Sequence, residues 1–124
     1  MNKARFVKDI PEQYRNGKGY FTDLELENER FDNQQLQDIV FDNCSFYVSV
    51  RKADLNNAKF TNGHIKTCDL REAGLTNARF ENLAVESAQF ARARTEGLCF
   101  NNNWTYGQKL TKTGFDEWIK YQEE

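Results

Sequence analysis

The 124-residue sequence has few of the side chains on which catalysis and metal binding usually depend, since it contains one histidine, His64, and three cysteines. The cysteines, Cys44, Cys68 and Cys99, do not follow the spacing of a disulfide framework or a zinc motif. A nucleophile with its base, or a histidine-based metal site, would require partners for His64. There is also no glycine-rich phosphate loop. We therefore expect a protein that is not an enzyme and that has no cofactor or metal.

Proline and long apolar runs are also scarce. The one proline is Pro11, no stretch approaches the ~20 consecutive apolar residues that span a bilayer, and the opening Met-Asn-Lys-Ala-Arg-Phe lacks the apolar run of a signal peptide. We expect a cytoplasmic protein with no membrane partner. The formal net charge is −2, which is weak for phosphate binding, so nucleic acid is a poor candidate as partner.

The sequence does contain a regular period of five residues between Ala53 and Phe90. A large apolar residue stands at the middle of each unit, and a small or apolar residue stands two positions earlier. The large residues are Leu55, Phe60, Ile65, Leu70, Leu75, Phe80, Val85 and Phe90, and the small ones include Ala53, Ala58, Gly63, Cys68, Ala73 and Ala78. Neither the helical period of 3.6 nor the strand period of 2 explains this pattern, which indicates a repeat architecture.

This pattern resembles that of the pentapeptide-repeat family, Ala-Asp/Asn-Leu/Phe-x-x. The resemblance implies an all-β fold, a right-handed quadrilateral β-helix with one pentapeptide on each side and about twenty residues in each coil. The repeat extends back to Phe21, shifted because one residue is missing between Phe46 and Val50, and forward to Asn102. We therefore predict about four coils in residues 21–102, with capping segments in residues 1–20 and 103–124.

Residues one coil apart should lie on the same side of such a helix, about 4.8 Å from each other. This spacing aligns the predicted structural core, which consists of Phe21, Phe41, Phe60, Phe80 and Phe100 on one side and Leu36, Leu55 and Leu75 on another. Two residues after each phenylalanine come Asp23, Asn43, Asn62, Asn82 and Asn102. Side chains of this kind suit a corner, because asparagine tolerates left-handed backbone geometry. Cys44 and Cys68 should fill small inward positions, and Cys99 should point outward.

Both ends of the chain contain helix signals. Asp9 fits the N-cap of a short helix that ends at Gly17 and that places Phe6, Ile10 and Tyr14 over the open top of the stack.

At the other end, residues 101–107 are predicted as a turn, followed by a helix with Thr113 as its cap and Asp116 in its first turn. Phe115, Trp118 and Ile119 share one side of that helix. They either cover the last coil or form a homodimer contact.

Charge is unevenly distributed along the predicted rod. Residues 21–47 contain seven acids and one arginine, a balance of about −6, whereas residues 48–102 carry about +2. Solvated faces explain these charges most simply. The alternative is a patch for an acidic partner, in which Tyr47, Arg51, His64 and Lys66 meet around one corner and Arg71 stacks against Arg51.

These features favour a non-catalytic protein–protein interaction module with one partner, such as a small bacterial inhibitor or immunity protein that blocks a cognate toxin or enzyme. A structural or regulatory adaptor fits the same observations. The family resemblance implies an alternative, because some long pentapeptide-repeat proteins are DNA mimics that bind DNA gyrase and protect it. Four coils give only ~20 Å of rod, and the acid is confined to the first half. Glu25 and Glu27 are the candidate contacts in that case.

Overall fold

The computed structural model describes residues 10–123. Over this range the chain winds as a right-handed, four-sided β-helix of about four coils, as predicted. The sheet on the first side is parallel and consists of β1 (Tyr20–Thr22), β3 (Val40–Asp42), β5 (Lys59–Thr61), β6 (Arg79–Glu81) and β7 (Cys99–Asn101). On the second side, β2 (Glu25–Arg30) pairs in parallel with β4 (Ser45–Ser49). A hairpin of β8 (Asn103–Thr105) and β9 (Gln108–Leu110) follows, and helices α1 (Ile10–Arg15) and α2 (Lys112–Gln122) lie at the two ends.

The twenty-residue coil is confirmed by the register of the first side. Each phenylalanine of the predicted column is paired with the next, and the ring centroids of Phe21 and Phe41 lie 5.6 Å apart, as do those of Phe41 and Phe60. The inward strand positions are large and apolar, so each coil buries its core against its neighbours. All eight predicted core residues are at most 7% exposed.

The corners depend on residues with left-handed backbone geometry at intervals of five. Asn43, Asn62, Asn82 and Asn102 have φ values between 56° and 59°, and their side chains form a ladder along the corner. The Asn82 amide donates to Asn62 Oδ1 at 3.0 Å, and the Asn102 amide donates to Asn82 Oδ1 at 2.6 Å. Asparagine suits this position because it tolerates the left-handed region and its amide both donates and accepts.

The missing residue of the second coil lies at the corner between the second and third sides. In the neighbouring coils this corner is formed by Asn28 and Thr67, which have φ values of 57° and 55°. In the second coil the strand β4 runs straight from Tyr47 to Val48, without a left-handed residue. The register of β2 against β4 shifts between Glu27 and Arg30 as a result.

Helix α1 covers the top of the stack. Ile10 is completely buried, and the Tyr14 hydroxyl donates to the carbonyl oxygen of Gln37 at 2.7 Å. The helix ends before Gly17, whose φ of 103° is a conformation that glycine adopts readily. The predicted N-cap Asp9 and the predicted contact of Phe6 lie outside the described residues.

Helix α2 covers the bottom coil, which is the first of the two alternatives for Phe115, Trp118 and Ile119. The Phe115 ring is fully buried and stacks on Phe100 at 4.3 Å, while Trp118 meets Phe90 edge-on at 5.9 Å. Ile119 is 8% exposed. These residues are therefore occupied by contacts within the monomer.

The predicted start of this helix was wrong by two residues. Thr111, in extended geometry, is the N-cap, and its Oγ1 accepts a hydrogen bond from Gly114 N at 3.1 Å. The helix begins as soon as β9 ends, so Asp116 lies beyond the first turn. There it forms an i,i+4 ion pair with Lys112 at 2.7 Å.

Residues 101–107 are not a simple turn, contrary to the prediction. The coil continues through β8, because Asn103 occupies the small inward position and is fully buried. Its Oδ1 accepts from Leu83 N at 2.9 Å, and its Nδ2 donates to the Phe80 carbonyl oxygen at 2.8 Å. This amide is polar, but both its groups are satisfied, which removes the cost of burying it. The reversal itself takes place at Tyr106 and Gly107, between β8 and β9.

We expect Gly63→Ala to lower the free energy of unfolding by about 2–3 kcal/mol, because the inward space at this position is filled by main chain. A Cβ at Gly63 would overlap the carbonyl oxygen of Cys44 in the preceding coil. Gly74→Ala is the control, because its Cβ would meet the movable side chain of Asn56 at 3.1 Å. Urea unfolding measures both. Equal losses in the two variants would contradict the close approach of the coils at Gly63.

Candidate protein-interaction face

The second side of the β-helix brings most of the predicted partner-binding residues together. Its outward positions are in register from coil to coil. Glu25 pairs with Ser45, and Glu27 pairs with Tyr47. Parallel bridges then connect Ser45 to His64, His64 to Ala84 and Ala84 to Trp104. The outward residues of this face are Glu25, Glu27, Ser45, Tyr47, His64, Lys66, Ala84, Glu86 and Trp104. We call this surface the second side.

The second side carries two exposed aromatic side chains, and a third lies beside it. Tyr47 is 38% exposed and Trp104 is 41% exposed, and Tyr106, in the adjoining turn, is 75% exposed. The Tyr106 hydroxyl lies 3.1 Å from Ser87 Oγ, so the turn is tied to the last corner of the coil. Tyrosine and tryptophan are enriched in protein interfaces and among their energetic hot spots. The arrangement suits protein binding.

His64 lies at the centre of this face, against the ring of Tyr47 at a centroid distance of 5.1 Å. Burial lowers the pKa of the imidazole, and the neighbouring Lys66 lowers it further, whereas Glu86 acts in the opposite direction. Within the described residues, His64 Nδ1 is buried without a hydrogen-bond partner. His64 is therefore neutral near pH 7 and contributes ring surface rather than charge.

The lowered pKa of His64 predicts a loss of stability on mild acidification. The unfolded chain binds the proton near the ordinary pKa of 6.5, whereas the folded protein binds it only at lower pH. The contribution is fully present above pH 6.5 and is lost as the pH falls toward the folded-state pKa. Because His64 is the single histidine, His64→Gln should show a smaller loss of urea stability between pH 7.5 and 5.5. Identical losses of stability in the wild type and in His64→Gln would contradict a lowered pKa of His64.

Arg51 and Arg71 lie on the third side, where carboxylates neutralise them. The Arg71 guanidinium binds Asp69 through contacts of 2.8 and 2.7 Å, which raises the pKa of Arg71. Arg51 approaches Glu72 at 3.4 Å and Asp69 at 4.0 Å. The structure thus groups Tyr47, His64 and Lys66 on one face, but does not bring the two arginines to it.

Glu25 and Glu27 lie at the acidic end of the second side. Both are exposed on β2, and Glu27 is in register with Tyr47. Neither forms an ion pair within residues 10–123. Their charge is therefore available to a partner.

The sequence interpretation missed Trp104 and Glu86 as members of the face, and Tyr106 in the turn beside it. It ended the repeat at Asn102 and treated the following residues as a turn. The signal was present, because adding one coil of twenty residues to Ala84 gives Trp104. Glu86 Oε2 accepts from the backbone nitrogen of Tyr106 at 3.0 Å and so holds the turn against the coil.

The described residues contain no group of three or more histidine, cysteine, aspartate and glutamate side chains that could hold a metal ion. Cys44 and Cys68 are buried, as predicted, and burial raises the pKa of the Cys68 thiol to about 12. Cys99 is half-buried on the first side. Neither of the helices described, α1 or α2, is long and apolar enough to cross a bilayer.

The five-residue repeat, the coils of about twenty residues and the left-handed corners together define a pentapeptide-repeat β-helix. No family model matches the chain, and no curated protein matches it. Among solved structures, it is similar to a trypsin-treated form of QnrB1, described as a plasmid-mediated fluoroquinolone resistance protein, with 17% identity and a TM-score of 0.49. That match covers 67% of this chain and 54% of QnrB1, so the chain spans about half the length of that structure.

A second similar structure is the pentapeptide repeat protein Rfr23 from the cyanobacterium Cyanothece 51142. It is 15% identical, with a TM-score of 0.32, over 69% of this chain and 83% of Rfr23. Identities of this size concern the fold alone.

Proposed function

We propose that this protein is a non-catalytic interaction module that binds one protein partner through the second side of its β-helix. The observation that carries the proposal is the presence of exposed Tyr47 and Trp104 on one rigid face, with exposed Tyr106 in the adjoining turn. Trp104 lies three coil-to-coil steps from the coil of Tyr47, which is about 14 Å along the axis of the β-helix. Aromatic anchors at this separation fall within a single interface of standard size.

Rigidity supports this proposal. The backbone of the second side is hydrogen-bonded to the neighbouring coils, for example from Phe46 N to His64 O at 2.9 Å and from Ile65 N to Ala84 O at 2.9 Å. A surface held in this way loses little conformational freedom on binding, which favours affinity. A small, preformed surface suits a bacterial inhibitor or immunity protein that blocks a cognate toxin or enzyme, which is the version we propose. An adaptor would use the same face.

Affinity purification with matched variants tests the proposal. The tagged protein is isolated from its own cells, and bound proteins are identified by mass spectrometry. We expect one stoichiometric partner, and truncation of an aromatic hot spot costs at least ~2 kcal/mol, or about 30-fold in affinity. Tyr47→Ala and Trp104→Ala should therefore each lose the partner.

Tyr20→Ala is the matched control, because Tyr20 is 53% exposed on the first side. It should retain the partner. Retention by the two second-side variants, or loss in the control alone, would contradict the choice of face.

The DNA-mimic function is the second candidate, and the acidic first coil favours it. We propose a direct binding assay with purified DNA gyrase, in which Glu25→Lys combined with Glu27→Lys should abolish binding if the mimicry is real. Asp42 is unsuitable for charge reversal, because it accepts hydrogen bonds from Thr61 at 2.7 Å and Asn62 at 2.8 Å and so supports the corner. Binding that survives both reversals would remove this candidate.

A further inference from the structure

A notch opens at the corner between the second and third sides, where the second coil lacks its corner residue. Asn28 of the first coil lies above it, Thr67 of the third coil lies below it, and Tyr47 lines it between them. The part toward Glu27 has a volume of about 540 Å³, and an adjoining part that reaches Val48 and Ser49 has about 300 Å³. One missing residue thus leaves a shallow, open recess at this corner, against which a side chain can lie.

The walls of the notch are acidic and aromatic. Glu27 and Glu29 line it, and neither carboxylate forms an ion pair within the described part of the chain. Tyr47 lines both parts of the recess and is 38% exposed. A carboxylate beside an aromatic ring attracts a cation, which pairs with the acid and interacts with the ring face.

Two of the three cations near the notch, Arg30 and Arg71, are paired with other carboxylates, whereas Lys66 forms no ion pair within residues 10–123. Arg30 lines it but pairs with Asp32 at 3.1 Å, and its side chain is 78% exposed. Asp69, at the far wall, is bound by Arg71 at 2.7 Å. Lys66 stands next to Thr67 and is not among the residues that line either part. Glu27 and Glu29 are thus the carboxylates of the recess that are left for an external cation.

We propose that the notch binds an arginine side chain of the protein partner, with the guanidinium against Tyr47 and paired with Glu27 and Glu29. Arginine fits better than lysine, because its planar guanidinium stacks on aromatic rings and pairs with carboxylates through two hydrogen bonds. The inference rests on the proposed function and specifies the chemistry of the partner. It predicts that the partner contacts this corner with an exposed arginine.

The test uses the full chain and the peptide acetyl-Gly-Arg-Gly-amide as probe, followed by ¹H–¹⁵N NMR. We expect saturable shifts centred on the amides of Asn28, Tyr47 and Thr67. The citrulline analogue of the peptide has nearly the same shape without the charge. Its affinity should be lower than that of the arginine peptide by a factor of about five or more. The absence of localised shifts, or equal shifts with citrulline, would overturn the proposal.

Variants separate the notch from general attraction to the acidic coil. Insertion of one asparagine between Tyr47 and Val48 restores the five-residue period and should abolish the localised shifts. Tyr47→Ala alters an exposed side chain and serves the same purpose if the insertion impairs folding. Lys66→Ala should strengthen binding, because it removes a nearby positive charge. Unchanged binding of the probe by Tyr47→Ala would overturn the proposal.

The outcome is distinguishable from failure of the proposed function. If affinity purification yields a partner that depends on Trp104 but the arginine peptide does not bind, the second side remains the interface and the notch inference fails. If no partner depends on the second side, the proposed function fails whatever the peptide does.

Discussion

Phe80→Ala should lower the free energy of unfolding by about 4 kcal/mol, which is the largest effect that we expect from a single substitution. Phe80 is completely buried in the middle of the stack, with ring centroids 5.2 Å from Phe60, 5.9 Å from Phe90 and 6.5 Å from Phe100. The cavity left behind would persist, because hydrogen bonds hold the surrounding coils at a fixed spacing. Arg79 N donates to Ala58 O at 2.8 Å on this side.

Urea unfolding at pH 7.5 measures this effect. Lys59→Ala is the control, because Lys59 is exposed on the same sheet, one residue before Phe60. It should change stability by less than about 0.5 kcal/mol. A loss below about 1 kcal/mol for Phe80→Ala would show that the stack collapses around the cavity, and would contradict a rigidly spaced β-helix.

Phe115→Ala should cost about 3–4 kcal/mol, because it removes the ring with which α2 closes the bottom coil. Phe115 stacks on Phe100 at 4.3 Å and meets Phe90 at 4.9 Å. The rest of the docking is mixed, because Trp118 meets Phe90 edge-on and Ile119 is buried. The Gln122 side chain adds polar contacts, since it accepts from Phe90 N at 2.7 Å and donates to Ala88 O at 2.9 Å. Loss of the ring should therefore loosen the helix and leave a cavity at the apolar end of the stack.

The same variant separates a lid from a dimer contact. For a lid, urea stability does not depend on protein concentration, in the wild type or in Phe115→Ala. Tyr121→Ala is the control, because Tyr121 is 75% exposed on the same helix. A stability that rises with protein concentration and loses this dependence in Phe115→Ala would show that the helix is a dimer contact instead.

Much of the fold could be predicted from the sequence, because the five-residue period carries the coil length, the inward side chains and the corners. The phenylalanine column and the asparagine corners follow directly from spacing. The position of the missing residue was also visible between Phe46 and Val50. A repeat architecture allows this because each coil contacts only its neighbours, so local pattern and three-dimensional register coincide.

The ends of the repeat were predicted less well, for a physical reason. Asn103 is polar but occupies an inward position normally taken by a small residue, and it satisfies backbone groups of Leu83 and Phe80. Burial of an asparagine depends on these tertiary partners, which a periodic pattern does not reveal. The misplaced cap of α2 has a similar origin, since Thr111 and Thr113 are both acceptable caps, and the end of β9 decides between them.

The candidate site was predicted in part. Tyr47, His64 and Lys66 share a face because the coil-to-coil pairing of residues about twenty positions apart places them there. Arg51 and Arg71 belong to another side, where the geometry of Asp69 and Glu72 determines their partners. The exposure of Trp104 and the shape of the notch depend on the packing of neighbouring coils, so spacing alone did not show them.

Site-specific photo-crosslinking in the producing cells tests the central claim most directly. A benzophenone amino acid is placed at Ser45 or Lys66 on the second side. Matched controls carry it at Gln35 or Arg94 on the fourth side, which is the side of the buried Leu36, Leu55 and Leu75. We predict one crosslinked protein, the same from both second-side positions, and none from the fourth side. Crosslinking of that protein from the fourth side alone, or equally from both sides, would contradict the assignment of the second side as the interaction face.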